Sequence, residues 1–387
     1  MNPAPSPVPQ HPALAELLGQ GAPTPEAIDS FLAAHEFPLV EDDRVTFLWR
    51  GQADEVRLQH FIFALETSQP FERVEGSDLW QLRLELPQRS RVEYKLFVRT
   101  GEHKELVRDP LNDKLAHDPY GANSVCQSAG YEVPEWSHED PDARPGEVRE
   151  RLMHSEALGG ERRVRVYLPA RYRDTRRYPL LIAHDGTDTM NFAALKTVLD
   201  NLIHRHEIPP MIVALSDPGD RLVEYAADPR HATFLADELL PALQSEYPLI
   251  DRPAARGLMG ASFGAVASLS TAWMRQGLFG RLLLQSGSFA FTDIGESTRP
   301  PVFDPVVEFV NAFRETPGKP TQKAFVSCGT YESLIYENRS LVPVLQEAGL
   351  EVKYVEARDG HNWENWRDRL REGLSWLFPG PLGFVYE

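Results

Sequence analysis

The chain has 387 residues, of which 42% are hydrophobic, and a formal net charge of −17 at pH 7. This length is enough for two domains, and the strong negative charge argues against nucleic acid or anionic membrane surfaces as partners. No run of apolar residues approaches the roughly 18 that a membrane-spanning helix needs.

The first residues, Met1-Asn2-Pro3-Ala4-Pro5, lack the basic and apolar regions of a secretory signal. The two cysteines, Cys126 and Cys328, fall in different predicted domains, and they offer neither a disulfide framework nor the spacing of a metal site. Both observations predict a cytoplasmic protein that needs no metal.

Residues 1–36 are predicted to be a Pro-rich tail followed by short helices. The tail extends to about residue 12, and helices are expected at 13–18 and 24–35. Thr24 supplies an N-cap for the second helix, and Pro25 occupies its first turn.

Residues 37–130 change to short alternating segments, which predict half-buried strands. These segments are 45–49, 56–59, 79–86 and 92–98. Several such strands separated by turn residues predict an all-β sandwich domain. Residues 131–145 are rich in Pro, Glu and Asp and are expected to form a linker.

From residue 146 to 387 strands alternate with helices. An edge hairpin is expected at 148–155 and 163–168, and further strands at 178–183, 211–215, 255–259, 281–285, 323–328 and 352–355. Helices are expected at 192–203, 234–246, 263–275, 306–313, 341–348 and 366–377. This rhythm predicts a mostly parallel sheet with helices on both faces, which binds ligands beyond the carboxyl ends of its strands.

The segment Gly260-Ala261-Ser262-Phe263-Gly264 reads G-x-S-x-G between a predicted strand and a predicted helix. That context is typical of a nucleophile elbow, in which a sharp turn exposes the serine hydroxyl. A serine needs a base to take its proton, and in this architecture the histidine follows the serine in the chain. His361 is the one histidine downstream of Ser262, so it is the predicted base.

The acid of the triad holds the histidine in the right tautomer. Glu332 follows a core strand and is the favoured candidate, while Asp304, Glu337 and Asp359 remain alternatives. The oxyanion hole is expected to use the backbone N–H of Phe263 and one N–H at Gly186 or Thr187, after an early strand. We interpret His184, in the same loop, as structural because it precedes the nucleophile.

Several segments together resemble the enterochelin (ferric enterobactin) esterase family, within a wider esterase group that includes feruloyl and acetyl-xylan esterases. The matching segments are 184–186, 221–225, 237–241, 260–264, 285–289, 329–332, 360–361 and 366–367. The resemblance implies an early-set immunoglobulin-like domain at 37–130 and an α/β-hydrolase domain at 146–387. It also implies a Ser262-His361-Glu332 triad, with Arg221 and Asp185 in substrate binding and no cofactor.

The resemblance implies a small-molecule ester substrate, which would be a catecholate siderophore whose cleavage frees iron. Trp363 would supply an aromatic wall and Arg221 a cation for catecholate rings, although a packed loop tryptophan and a surface salt bridge are equally compatible with the sequence. Three alternatives stay open: a feruloyl or acetyl-xylan type carbohydrate esterase, a glycan-binding module on an inactive hydrolase scaffold, and an acyltransferase. The sequence does not determine the oligomeric state.

Overall fold

A computed structural model of the chain describes residues 10–19, 21–292 and 300–380. The described residues form two compact units. The first comprises the described residues up to Glu132 with the short segments Thr330–Ser333 and Ala357–Gly360, and the second comprises the described residues of 133–329, 334–356 and 361–380. Most of the predicted Pro-rich tail, residues 1–9, lies outside the described residues.

The first unit begins with two short helices and continues with strands. They are α1 (Pro12–Leu18), α2 (Pro25–Ala34), β1 (Leu39–Glu41), β2 (Arg44–Arg50), β3 (Glu55–His60), β4 (Ser68–Pro70), β5 (Glu72–Arg73), β6 (Leu79–Glu85), β7 (Arg91–Thr100), β8 (His103–Val107), β9 (Leu115–Asp118) and β10 (Gly121–Gln127). Helix α2 starts as its sequence predicts, because the Thr24 side chain accepts a hydrogen bond from the Ala27 N–H.

These strands form two antiparallel sheets, one in the order β1-β2-β6-β5 and the other β4-β3-β7-β10-β9 with β8 beside β7. Alternate side chains of β2, β3 and β7 meet in one hydrophobic core. At its centre the rings of Phe47 and Tyr94 pack edge to face, with centroids 5.0 Å apart. The all-β character predicted for this region therefore agrees with the structure.

The second unit alternates strands and helices. Its strands are β11 (Glu147–Ser155), β12 (Gly160–Leu168), β13 (Leu180–His184), β14 (Ile212–Ser216), β15 (Arg256–Ala261), β16 (Arg281–Gln285), β17 (Lys323–Gly329) and β18 (Glu351–Ala357). Its helices are α3 (Gly186–Phe192), α4 (Leu195–His204), α5 (Arg221–Glu224), α6 (Pro229–Thr233), α7 (Leu240–Glu246), α8 (Phe263–Met274), α9 (Asp304–Glu315), α10 (Ile335–Glu347) and α11 (Trp363–Leu377).

The eight strands form one mixed sheet in the order β11-β12-β14-β13-β15-β16-β17-β18, with β11 and β18 at its edges. The hairpin β11–β12 is antiparallel, and β14, β13, β15, β16 and β17 are parallel neighbours. Leu180 and Ile182 point into one core, and Leu181 and Ala183 point into another. This alternation shows that both faces of the sheet are covered, as a buried parallel sheet requires.

The structure corrects several predicted helix boundaries, including that of α10, which was expected at 341–348 and begins six residues earlier, at Ile335. The helix expected at 192–203 begins only at Leu195, because Ala194 takes a left-handed conformation (φ 49°) and interrupts the helical path. The preceding residues instead form α3, which carries no apolar stripe and was not predicted. The helix expected at 234–246 is divided into a π-helical segment, Phe234–Leu239, and α7.

Candidate active site

Ser262 lies on a strained turn between β15 and α8. Its backbone has φ 58° and ψ −122°, a conformation that L-residues rarely adopt. Its N–H donates to the Gln285 carbonyl at 2.9 Å, which fixes the turn against the neighbouring strand β16. The predicted strand-turn-helix context of the G-x-S-x-G motif is therefore present, and the serine is only partly buried.

Both glycines of the motif lie at close approaches, but only the approach at Gly260 excludes a side chain. A β-carbon on Gly260 would lie 2.2 Å from the carbonyl oxygen of Gly264. A β-carbon on Gly264 would lie 3.2 Å from the β-carbon of His184. The overlap at Gly260 involves the backbone and cannot be relieved by rotating a side chain. The absence of a side chain at Gly260 therefore allows β15 and α8 to pack this closely.

A second serine, Ser288, lies beside the nucleophile position. The hydroxyl oxygens of Ser262 and Ser288 are 3.2 Å apart, and the Ser288 N–H donates to the Ser262 carbonyl at 3.3 Å. Ser288 follows β16 and is almost fully buried. Ser288 was not among the predicted site residues, although it lies in the segment 285–289 that carries part of the family resemblance.

His184 is buried directly behind the turn. Its Nδ1 lies 2.9 Å from the Met259 carbonyl oxygen, and its Nε2 lies 3.0 Å from Nε2 of His231. Burial lowers the pKa of His184 to about 4 and also lowers the pKa of His231. Both rings are therefore neutral, with His184 donating to Met259 and accepting from His231. This arrangement supports the structural interpretation of His184.

The loop that was expected to complete the oxyanion hole is held by an acidic residue. The Thr187 N–H donates to Oδ1 of Asp217 at 2.8 Å, and its hydroxyl donates to Oδ2 at 2.5 Å. Arg165 contacts the same hydroxyl and lies 3.4 Å from Oδ2 of Asp217. Because the Thr187 N–H is engaged, Gly186, the first residue of α3, is the stronger of the two candidates for the second oxyanion donor.

Arg221 and Asp185 form a bidentate ion pair. Nε and Nη2 of Arg221 each lie 2.8 Å from an oxygen of Asp185, and Nη2 lies 3.4 Å from the carbonyl oxygen of Ala261, the residue before Ser262. The guanidinium also lies over the Tyr225 ring, 5.6 Å from its centroid. A third of the Arg221 side chain remains exposed, so a cationic face stays available next to the turn.

His361 lies just before α11, in a cluster of aromatic rings. Its ring packs edge to face against Trp366, with ring centroids 5.1 Å apart. The ring of Trp363 completes the cluster, with its centroid 4.8 Å from that of Trp366 and 6.0 Å from that of Phe192. Nε1 of Trp366 donates to the hydroxyl of Ser286, at the end of β16, over 3.0 Å. The histidine therefore packs against a tryptophan that is hydrogen-bonded close to Ser288.

The candidates for the acid differ in their surroundings. Glu332 is 3% exposed and lies in the segment after β17, which belongs to the first unit. Glu337 is also buried, on α10, whereas Asp304 is exposed at the start of α9. Asp359 makes an ion pair with Arg91 and accepts a hydrogen bond from the Gly360 N–H. The buried position of Glu332 on a loop at a strand end suits an orienting carboxylate.

Three further features concern the class of protein. Within residues 10–19, 21–292 and 300–380, no group of three or more His, Cys, Asp and Glu side chains could hold a metal ion. Across the same ranges, no helix combines the length and apolar character needed to cross a bilayer. Cys126 and Cys328 are both buried and form no disulfide.

Comparison with family models gives two matches, one in each part of the chain. Residues 155–377 match the model described as "Putative esterase", and residues 44–142 match "Enterochelin esterase, N-terminal". The iron(III) enterobactin esterase of Dickeya dadantii is 25% identical over 398 residues, which cover 89% of this chain and 90% of that protein.

Solved structures show the same fold. The enterobactin esterase of Shigella flexneri, crystallised in the presence of enterobactin, aligns with a TM-score of 0.72 at 22% identity, covering 90% of this chain and 97% of that one. A ferulic acid esterase from Anaeromyces mucronatus reaches a TM-score of 0.50 at 17% identity and covers 62% of this chain and 94% of its own. The family predicted from the sequence is confirmed: the chain is a carboxylic ester hydrolase that belongs to the esterase family, with an amino-terminal region of the enterochelin esterase type.

Proposed function

We propose that this protein is a serine esterase that cleaves catecholate siderophore esters through Ser262, His361 and Glu332. The observation that carries the proposal is the strained turn at Ser262 within a chain that matches both family models. The D. dadantii relative, which aligns over both parts of the chain, supports the siderophore as substrate.

In the proposed reaction Ser262 Oγ attacks the ester carbonyl while His361 takes its proton. The developing oxyanion is stabilised by the Phe263 N–H, at the amino terminus of α8, and by the Gly186 N–H. Each such donor supplies about 3 kcal/mol to the transition state. His361 then returns the proton to the leaving alkoxide, and water hydrolyses the acyl-enzyme by the same steps. Glu332 holds the His361 tautomer and stabilises the imidazolium.

Arg221, Asp185 and Trp363 are the proposed substrate-binding residues. The Asp185 carboxylate fixes the guanidinium of Arg221 beside the Ser262 turn, so the cation reaches catecholate rings without first being ordered. Trp363 packs edge to face against Trp366 and at a tilt against Phe192, and it would form an aromatic wall. The amino-terminal unit is proposed to be an early-set immunoglobulin-like sandwich, and the enzyme to act on imported siderophore in the cytoplasm.

The test is hydrolysis of ferric and iron-free enterobactin beside methyl ferulate and an acetylated sugar, with Ser262→Ala as control. We expect release of N-(2,3-dihydroxybenzoyl)serine at a higher kcat/KM than that of either other ester, abolished by Ser262→Ala. Preference for ferulate or acetyl esters would instead keep the triad and assign the chain to the carbohydrate esterases. Wild-type activity in Ser262→Ala would refute the mechanism.

The alternatives have less support from the comparisons. The ferulic acid esterase fold covers 62% of the chain, whereas the enterobactin esterase fold covers 90%. A glycan-binding role on an inactive scaffold would require no strained serine, and the backbone at Ser262 has that strain. An acyltransferase would show product formation that depends on an added hydroxyl acceptor, which the same assay can detect.

A further inference from the structure

The first compact unit contains a buried arginine that the proposed chemistry does not use. Arg91 begins strand β7, and its side chain is fully buried. Its Nη1 lies 3.3 Å from Oδ1 of Asp359, and its Nη2 lies 3.0 Å from Oε1 of Glu93. A buried guanidinium is costly to desolvate, so a position like this demands compensating partners.

The partner Asp359 lies two residues before His361. The segment Ala357–Gly360 that contains it is also held through its backbone, because the Arg91 N–H donates to the Arg358 carbonyl at 2.9 Å. The Asp359 carboxylate that faces Arg91 accepts the Gly360 N–H at 2.7 Å. Arg91 therefore fixes the residues that lead directly into the proposed base.

The same strand region also holds the residue next to Glu332. The Tyr331 hydroxyl lies 2.5 Å from Oγ of Ser90, whose own hydroxyl donates to the Pro87 carbonyl. The Tyr331 N–H donates to the Asp359 carbonyl at 3.1 Å, and the Tyr331 carbonyl accepts the Phe63 N–H at 2.8 Å. Tyr331 is thus held by hydrogen bonds at three of its atoms. One of these bonds joins it to Asp359, in the segment that Arg91 holds.

We infer that Arg91 is a positioning residue for the esterase reaction, acting through Asp359 and Tyr331 on the segments that carry His361 and Glu332. The inference rests on the proposed triad, because the two segments matter for catalysis only if His361 is the base and Glu332 the acid. A triad must be held to within a fraction of an ångström, and a displacement of about 1 Å can lower the rate on the order of 100-fold. Removing the guanidinium should therefore slow the chemical step while leaving substrate binding nearly unchanged.

The experiment measures kcat and KM for p-nitrophenyl acetate in Arg91→Met and Arg91→Lys, with thermal unfolding of each variant. The matched control is Arg99→Met, at the other end of β7, whose ion pair with Glu55 (3.1 Å) is partly exposed. We expect Arg91→Met to lose roughly 10- to 100-fold in kcat with KM within about threefold of wild type. Arg91→Lys keeps the charge but not the two terminal nitrogens that reach Asp359 and Glu93, so it should recover part of the lost kcat. Arg99→Met should behave as wild type.

A folded Arg91→Met enzyme with wild-type kcat would overturn the inference, and so would an equal loss in Arg99→Met. If Arg91→Met does not fold, Tyr331→Phe provides the test, because it removes only the hydroxyl that meets Ser90. It should lower kcat several-fold, and an unchanged kcat would count against the positioning role. A small aryl ester reports on the triad whatever the natural substrate is. The result can therefore be interpreted even if the siderophore proves not to be the substrate. Retained activity in Ser262→Ala would instead show that the proposed triad is wrong.

Discussion

Replacing Gly260 with alanine should damage this enzyme far more than the same change at Gly264, four residues later. The added methyl at residue 260 would lie 2.2 Å from the carbonyl oxygen of Gly264 and 2.3 Å from its carbonyl carbon. Non-bonded carbon atoms prefer about 3.5–4.0 Å, so strand β15 or the start of α8 must move by more than about 1 Å. Overpacking of this kind costs about 3 kcal/mol when no side chain can rotate away.

That destabilisation corresponds to a fall in Tm of about 6–12 °C for a unit of this size. The same movement displaces Ser262, so kcat for p-nitrophenyl acetate should fall on the order of 100-fold. At Gly264 the new methyl would meet the β-carbon of His184 at 3.2 Å and Oδ2 of Asp185 at 3.4 Å. Small shifts relieve those contacts, and the expected cost is less than about 1 kcal/mol.

The assay is thermal unfolding by circular dichroism together with steady-state kinetics on both variants. Gly277→Ala serves as a control, since Gly277 has φ +80° and no atom within 4 Å of the added methyl, so it tests backbone strain alone. A Gly260→Ala variant that melts within about 2 °C of wild type and keeps full kcat would contradict this prediction. Equal losses in Gly264→Ala would also refute it.

Three further predictions concern the acid, the binding cation and the buried histidine. Glu332→Gln should lower kcat about 10²- to 10⁴-fold, while Glu337→Gln, also buried, stays within about threefold, and the reverse order would reassign the acid. Arg221→Lys should raise KM for ferric enterobactin about tenfold, because lysine cannot keep the bidentate pair with Asp185. Its kcat on p-nitrophenyl acetate should be nearly unchanged, and equal effects on both esters would argue against a binding role. His184 has a folded-state pKa of about 4, below its ordinary value of 6.5, so the unfolded chain takes up the proton first. The contribution of His184 to stability is therefore unchanged above pH 6.5 and is lost, by up to about 3 kcal/mol, as the pH drops toward 4. Thermal unfolding against pH should show this loss in wild type and a smaller one in His184→Asn.

The nucleophile turn was predictable because its determinants are local. A short apolar strand, two glycines at fixed spacing and an apolar helix identify Ser262 without any long-range information. The parallel sheet was predictable for a similar reason, since buried strands such as β13 and β16 are continuous apolar runs.

The partners that come from distant parts of the chain could not be read from local patterns. His231 pairs with His184 across 47 residues, and Arg91 pairs with Asp359 across 268 residues. An arginine on an alternating strand is normally solvent-exposed, and nothing nearby in the sequence indicates that Arg91 is buried. Helix α3 was missed for a different reason, because Gly186-Thr187-Asp188-Thr189 combines weak helix formers with no apolar periodicity.

The edge strands of the eight-stranded sheet bear on how the protein behaves at high concentration. Unpaired backbone groups at a sheet edge can recruit another chain and begin aggregation. Along the edge strand β11, Glu147, Arg149, Glu150 and Arg151 are only partly buried or exposed, and ion pairs join Glu147 to Arg149 and Arg151 to Glu246. A second chain that added a strand here would have to desolvate these charges. Strand β11 therefore opposes self-association through this edge.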